Sequence, residues 1–173
     1  MKEAIQTLIT SDKMTHAFEY LKQDEAHTID EQVELVQISS FSPFEEKRAI
    51  RFKELLTEAG LDPVMDEVHN VYAHIHGTGN GPTLYVSAHL DTVFPPETPL
   101  PVKREGTKIY APGIGDDTRG LAEILTLARA IKESGLKPVG DIIIGGNVGE
   151  EGLGNEFGPE GVAGHENGLG VSA

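Results

Sequence analysis

TLYVSAHLDT, residues 83–92, begins with TLYVSAHL, which has the near-continuous apolar character of a strand that is buried on both faces of a sheet. The stretch DIIIGGNV, residues 141–148, has the same character, and a helical period runs between the two from Leu121 to Ile131. A strand, a crossover helix and a second strand in this order predict a parallel pair with helices packed on the sheet. Polar residues end each strand, and the first of them is His89.

Helices are predicted ahead of these strands. Apolar residues at helical spacing indicate helical structure over residues 4–21, either continuous or interrupted at residues 10–12. Thr28 opens a capping-box pattern, which indicates the start of a further helix. The clearest helix spans residues 43–59, because Ser42 can cap it and Gly60 can end it.

Strands follow this helical region. Residues 64–68 and 71–75 alternate as the two strands of a hairpin. His74 and His76 share one face of the second strand at a spacing that can chelate a metal, but we interpret them as the polar residues of a half-exposed strand. The predicted fold class is therefore α/β, with a mixed, largely parallel sheet flanked by helices.

Composition limits the partners of the chain. The 14 basic and 28 acidic residues give a net charge of −14, which disfavours nucleic acid and anionic membranes because both require basic patches. The chain has no cysteine, so any metal must be bound by nitrogen and oxygen atoms. Neither a signal peptide nor an apolar run of transmembrane length is recognisable, so we expect a cytoplasmic location.

Three polar motifs follow predicted strand ends, where sites of α/β sheets gather: SAHLDT, GIGDDTRG and GEEGLG. Neutral imidazole and ionised carboxylate are the ligands that divalent metals require, so His89, Asp116 and Glu151 are candidate ligands. Asp116 is the candidate bridge between two ions. Glu150 is free to act as a base, because neighbouring side chains of an extended segment point in opposite directions.

The motifs resemble those of one enzyme family. They are His-x-Asp-Thr at residues 89–92, Asp-Asp at 116–117 and Glu-Glu-Gly at 150–152. Their types, order and intervals are similar to those of the dinuclear zinc peptidases and amidohydrolases, which include aminoacylase, carboxypeptidase G, peptidase T and succinyl-diaminopimelate desuccinylase. The resemblance covers roughly residues 14–155, the amino-terminal half of that family's catalytic domain.

The resemblance implies a role for each residue. His89 would bind one zinc, Asp116 would bridge both ions, and Glu151 would bind the other. Asp91 would hydrogen-bond the far nitrogen of His89, and Glu150 would carry a proton from the metal-bound water to the leaving amine. The resemblance also implies a cis peptide bond after Asp116.

The expected reaction is hydrolysis of an amide or peptide bond in a small peptide or an N-acyl amino acid. It would require two Zn²⁺ ions, with Co²⁺ or Mn²⁺ as substitutes.

The length of the chain leaves a second function open. Residues 1–155 are interpreted as the amino-terminal part of the catalytic domain and residues 156–173 as an irregular glycine-rich tail. The family's later ligands and its dimerisation domain have no counterpart here, although the resemblance implies a homodimer. His165 in the tail is interpreted as an exposed side chain. The alternative function is therefore a truncated, inactive fragment that binds metal weakly at most.

Overall fold

A computed structural model describes residues 2–151 and 171–172 of the chain. Its helices are α1 (Lys2–Ile9), α2 (Asp12–Gln23), α3 (Glu25–Val36), α4 (Glu46–Glu58) and α5 (Thr118–Ser134). Its strands are β1 (Val64–Met65), β2 (Val71–Ile75), β3 (Thr83–His89), β4 (Lys103–Glu105), β5 (Lys108–Tyr110), β6 (Ile142–Asn147) and β7 (Val171–Ser172). Most of the predicted glycine-rich tail, including His165, lies outside the described residues. No helix within the described ranges is long and apolar enough to cross a membrane.

Five of the described strands form one sheet in the order β1-β2-β6-β3-β7, and β4 pairs with β5 in a separate hairpin. Strands β3 and β6 are parallel, joined through α5 as the sequence predicts. The pairings β1–β2, β2–β6 and β3–β7 are antiparallel. The mixed sheet flanked by helices is therefore confirmed. The expectation that the sheet is largely parallel is wrong for the described strands, because β2 joins the sheet as the hairpin partner of β1 and runs antiparallel to β6, so that only β3 and β6 are parallel.

One face of the sheet carries the hydrophobic core. Because residues alternate along a strand, the side chains of Ala73, Val86 and Ile144 share this face, in register across β2, β3 and β6. Helices α4 and α5 cover it with side chains that include Phe52 and Leu121, all within one buried cluster. The β6 backbone comes close to α4 at Gly146, where an added Cβ would lie 2.8 Å from the Phe52 ring.

The helical layer is joined by a buried guanidinium. Arg129 of α5 donates two hydrogen bonds to the carboxylate of Glu31 in α3, at 2.7 and 2.8 Å. It also donates to Oδ2 of Asp24, the residue between α2 and α3, at 2.9 and 2.7 Å. The hydroxyl of Thr126 donates to the same oxygen at 2.8 Å. This network fixes the corner between α2 and α3 against α5.

That corner explains why the predicted start of α3 is wrong. The helix begins at Glu25 rather than after Thr28, because Asp24 is held at the corner by Arg129. Thr28 lies inside the helix, where its hydroxyl donates to the backbone oxygen of Asp24 at 3.0 Å. The capping-box pattern therefore marks a point one turn too late.

The predicted start of α4 is also wrong, whereas its end is confirmed. Thr92 donates its backbone amide to the Ser40 oxygen at 2.8 Å, and Phe41 forms a parallel bridge with Thr92. This pairing keeps the segment before Glu46 out of the helix, so Ser42 does not cap it. The chain leaves the helix at Gly60, which has a φ of 83°.

The hairpin of β1 and β2 is confirmed, although β1 is shorter than the predicted strand over residues 64–68. The cause is Asp66, whose Oδ1 accepts backbone hydrogen bonds from Val68 at 3.0 Å and Asn70 at 2.8 Å. The side chain thus folds the backbone into a turn immediately after Met65.

Candidate metal centre

The carboxyl ends of β3 and β6 lie side by side, with His89 paired in register to Asn147. Both strands therefore deliver the polar residues that follow them to one edge of the sheet. The amino terminus of α5 reaches the same edge, because Asp117 caps that helix and also accepts a hydrogen bond from the His89 backbone amide at 3.3 Å. The arrangement agrees with the rule that sites of α/β sheets lie beyond the carboxyl ends of strands.

His89 is held between two aspartates. Its Nε2 lies 2.9 Å from Oδ1 of Asp116. Its Nδ1 lies 3.1 Å from the backbone oxygen of Asp91 and 3.4 Å from the Asp91 carboxylate. Burial disfavours the charged imidazolium, but the hydrogen bonds to Asp91 and Asp116 outweigh it and raise the pKa of His89 to about 9. The same contacts fix the orientation of the ring.

Asp116 and Asp117 are joined by a cis peptide bond, as the resemblance implies. The side chain of Asp116 is 79% exposed and faces His89. Asp117 turns the other way, and its Oδ1 accepts the amide of Gly120 at 3.0 Å. Burial raises the pKa of Asp117, and hydrogen bonds from the His89 and Gly120 amides partly offset this increase. The carboxylate of Asp116 is therefore accessible, whereas that of Asp117 is occupied by backbone hydrogen bonds.

The loop after β6 is held by Asp91, whose side chain is fully buried. Oδ1 of Asp91 accepts the backbone amide of Glu150 at 3.1 Å, and Oδ2 accepts that of Glu151 at 2.8 Å. Burial disfavours the ionised carboxylate, but these amides and His89 outweigh it and lower the pKa of Asp91. Asp91 therefore binds the loop after β3 to the loop after β6.

Three predicted ligands come together at this edge. One imidazole nitrogen of His89 and one carboxylate oxygen each of Asp116 and Glu151 all lie within 4.8 Å of one another. Glu150 lies beside this group, with Oε2 4.0 Å from Nε2 of His89. One nitrogen and two oxygens in such proximity fit a divalent ion of the zinc type. The adjoining carboxylates of Asp91 and Asp117 are occupied by backbone amides.

A depression of about 360 Å³ opens next to the predicted ligands. Asp116 and Glu151 lie in its wall, together with the apolar side chains of Phe94 and Ile114. A volume in this range is typical of small-molecule sites. The depression thus combines apolar surface with the two carboxylates that face His89.

Sequence reasoning did not find the buried residues that support the backbone of the site. Arg48 is 1% exposed and donates to the Leu90 oxygen at 2.8 Å, where Ser40 also donates at 2.7 Å. Burial lowers the pKa of Arg48 to about 10, which the charge of Asp91 partly offsets. A signal was available for Arg48, since it precedes Phe52 by one helical turn and so lies on the apolar stripe of α4.

Asn70 and Glu45 also support the site, and no sequence motif indicates this role. Asn70 is fully buried, and its Oδ1 accepts the amide of Val148 at 2.9 Å. Glu45 is 3% exposed, and its Oε1 has no hydrogen-bond partner among the described residues. Burial raises the pKa of Glu45. Hydrogen bonds from its own amide, Ser42 and Gly149 partly offset this increase. Both residues pack directly beneath the segment that leads to Glu150.

The fold and the candidate site together indicate the class: an α/β protein of the metallopeptidase type, with a histidine and two carboxylates that could hold a metal ion near the strand ends. The chain belongs to the peptidase family M20/M25/M40, whose sequence profile matches residues 85–172.

Several relatives are similar to parts of the chain. Carboxypeptidase G2 of Pseudomonas sp. is 38% identical over 84 residues, which are 47% of this chain and 20% of that protein. The uncharacterized protein YqjE of Bacillus subtilis is 30% identical over 142 residues, which are 74% of this chain and 37% of that protein. The chain thus covers 20% of the length of the first protein and 37% of the length of the second.

Solved structures give the same result. Aminopeptidase PepT of Bacillus cereus has a TM-score of 0.63 and 27% identity, over 75% of this chain and 38% of that one. A tripeptidase of Staphylococcus aureus has a TM-score of 0.60 and 31% identity, over 73% of this chain and 37% of that one. The mixed sheet flanked by helices is therefore the fold shared with these peptidases.

Proposed function

We propose that this chain contributes to the metal-dependent hydrolysis of an amide or peptide bond. The observation that carries the proposal is the proximity of His89, Asp116 and Glu151 donor atoms within 4.8 Å. Membership of the peptidase family M20/M25/M40 supports the reaction type. The activity belongs to the whole protein, since the relatives named above are longer than this chain.

Each ligand has a proposed part. His89 would hold one ion, Glu151 would hold the other, and the exposed carboxylate of Asp116 would be shared by both. Two Zn²⁺ ions are the proposed metals, with Co²⁺ or Mn²⁺ as substitutes. When bound, such ions polarise the scissile carbonyl and lower the pKa of water to about 7.

Glu150 is the proposed general base and acid. Its side chain is 62% exposed, so its carboxylate is accessible to water and substrate. It takes a proton from the attacking water and passes it to the leaving nitrogen. Asp91 is a positioning residue, because its carboxylate fixes the backbone of both glutamates and contacts Nδ1 of His89.

The proposed substrates are small peptides or N-acyl amino acids, which would enter the depression beside Asp116 and Glu151. The names of three similar proteins, carboxypeptidase G2, aminopeptidase PepT and the tripeptidase, support a peptide-like substrate. We further propose residues 1–155 as part of the catalytic domain. A homodimer of the whole protein and a cytoplasmic location stay predictions from the sequence.

A second candidate is that residues 1–173 alone bind metal weakly and turn over little substrate. It is favoured by the donor set, because the described residues supply three ligands where a dinuclear site needs more. Metal content after dialysis, together with dipeptide and N-acyl amino acid hydrolysis, separates the candidates. Two tightly held zinc ions and steady turnover would contradict the second candidate.

Zinc affinity of matched variants tests the roles of the two neighbouring glutamates. We expect Glu151→Gln to weaken binding by at least about tenfold, because it removes a ligand. Glu150→Gln should leave the affinity close to that of the unchanged chain. Glu19→Gln, at an exposed position of α2, is the control for a lost surface charge. Equal losses in Glu150→Gln and Glu151→Gln would contradict the assignment.

A further inference from the structure

A second group of metal-type donors lies at the opposite end of β6. His74 and His76 come from β2 and the residue that follows it, and Asp141 directly precedes β6. One ligand atom from each of these residues lies within 4.8 Å of the others. With a rise of about 3.3 Å per residue, six residues of β6 separate Asp141 from Asn147 by roughly 20 Å. The group therefore shares no ion with His89.

The sheet register brings the three side chains together. Strands β2 and β6 are antiparallel, with Ile75 opposite Ile142, so His76 and Asp141 follow as the next opposed residues. His74 lies on the same face as His76, two residues earlier, and their ring centroids are 5.9 Å apart. Nδ1 of His76 and Oδ2 of Asp141 are 3.7 Å apart. Three donors thus converge from two neighbouring segments.

The carboxylate of Asp141 is already oriented. Its Oδ1 accepts the backbone amide of Gly77 at 2.8 Å, while Oδ2 faces His76. That amide is the main cause of a lowered pKa of Asp141, which keeps the carboxylate in the ionised form that a metal requires. A backbone donor that fixes a ligating carboxylate is a common support of metal sites.

The two loops that carry His76 and Asp141 are fixed against each other. Backbone amides of Thr78 and Gly79 donate to the oxygens of Pro138 and Val139, each at 2.9 Å. The backbones approach so closely that a Cβ at Gly140 would lie 1.9 Å from the Pro82 oxygen. A rigid support of this kind reduces the entropy that ligands lose when they bind an ion.

We propose that His74, His76 and Asp141 form a second binding site for a divalent transition metal. Two imidazoles and one carboxylate without a thiolate favour ions of the zinc and nickel type over calcium or magnesium. His74 and His76 are exposed, so an ion can reach the site from solvent. Because its ligands come from β2 and the start of β6, bound metal would also stabilise the contact between these segments.

Histidine ring NMR of the whole chain during titration with ZnCl₂ tests the proposal. We expect the ring signals of His74 and His76 to shift together and to saturate with a single ion bound between them, in addition to the change at His89. If His89 saturates while His74 and His76 stay unchanged, or if His76 responds equally well after His74→Ala, the proposal is overturned.

Affinity variants give a second readout in a chain that carries Glu151→Gln, which weakens the first site. Asp141→Asn keeps the shape of the side chain and should lower the remaining zinc affinity by more than about tenfold, because one ligand is lost. His16→Ala removes an exposed histidine of α2 and should change nothing. Circular dichroism verifies that each variant is folded. Equal affinity of Asp141→Asn and its parent would contradict the site.

Discussion

The buried carboxylate of Asp91 accepts the backbone amide of Glu151 at 2.8 Å, so the loop after β3 directly holds the loop after β6. The same carboxylate accepts the Glu150 amide at 3.1 Å. Positions of both glutamates therefore depend on a residue that precedes them by about 60 positions in the chain. This relationship makes Asp91 a test of how the candidate site is organised.

Asp91→Asn should weaken zinc binding by about 10- to 100-fold, the usual effect of losing a residue that orients metal ligands. The amide side chain has one acceptor oxygen in place of two, so one of the two glutamate amides loses its partner. Competition with a chromophoric chelator measures the affinity.

Asp62→Asn makes the same chemical change at an exposed position and serves as the control. An Asp91→Asn chain that binds zinc as tightly as this control would show that Asp91 does not organise the ligands.

Arg129→Met should destabilise the fold without changing metal binding. The guanidinium and its partners Asp24 and Glu31 are each about 10% exposed or less, and removing the cation leaves two buried carboxylates without their guanidinium partner. Loss of one partner from such a pair costs about 3 kcal/mol. Urea unfolding measures the difference.

Arg119→Met is the matched change in the same helix, where the exposed pair with Glu123 contributes less than about 1 kcal/mol. Equal unfolding free energies for the two variants would mean that the Arg129 network contributes no more than a surface pair.

Asp24 should make the fold sensitive to acid. Burial disfavours its ionised form, but hydrogen bonds from Thr126 and Arg129 outweigh burial and lower its pKa. A lowered pKa in the folded state gives stability that is present above the unfolded pKa of about 3.9 and is lost as the pH falls through the folded value. Urea midpoints between pH 7 and pH 3 should therefore fall more steeply for the unchanged chain than for Asp24→Asn. Parallel curves would be the contrary result.

The sequence predicts the edge of the sheet where the candidate ligands meet, because strand ends can be recognised from apolar runs. His89 and Glu151 follow two such runs, and a parallel pair must bring its carboxyl ends together. Asp116 was found through its motif before α5. The local pattern was sufficient for these residues, since each lies within four residues of an element boundary.

The residues that sequence reasoning missed act over long separations in the chain. Arg48 donates to the Leu90 oxygen, and Asn70 accepts the amide of Val148, so each contact joins segments that no local period relates. The helix starts at Ser42 and Thr28 were wrong for the same reason. In both cases a tertiary partner, the strand exit at Thr92 or the guanidinium of Arg129, overrides a local capping signal.

Glu45→Gln should stabilise the fold at neutral pH. The carboxylate is 3% exposed, Oε1 has no partner among the described residues, and burial raises the pKa of the group. Because the pKa of Glu45 is raised in the folded state, the stability that its protonated carboxyl group contributes is fully present below the unfolded pKa of about 4.3. This contribution is lost as the pH rises through the pKa of the folded state. Glutamine keeps the shape and removes the charge, so the gain over the unchanged chain should grow from pH 4 to pH 8.

Thermal unfolding across this pH range measures the stability of Glu45→Gln, and Glu46→Gln is the control because Glu46 is the exposed neighbour of the buried Glu45. Glu46 is in the first turn of α4, where a carboxylate is favoured by the helix dipole, so its replacement should lower stability slightly at pH 8. The two variants are therefore expected to move in opposite directions at high pH. If Glu45→Gln instead loses stability as the pH rises, the ionised carboxylate contributes favourably beneath Gly149, and its hydrogen bonds outweigh the cost of burial.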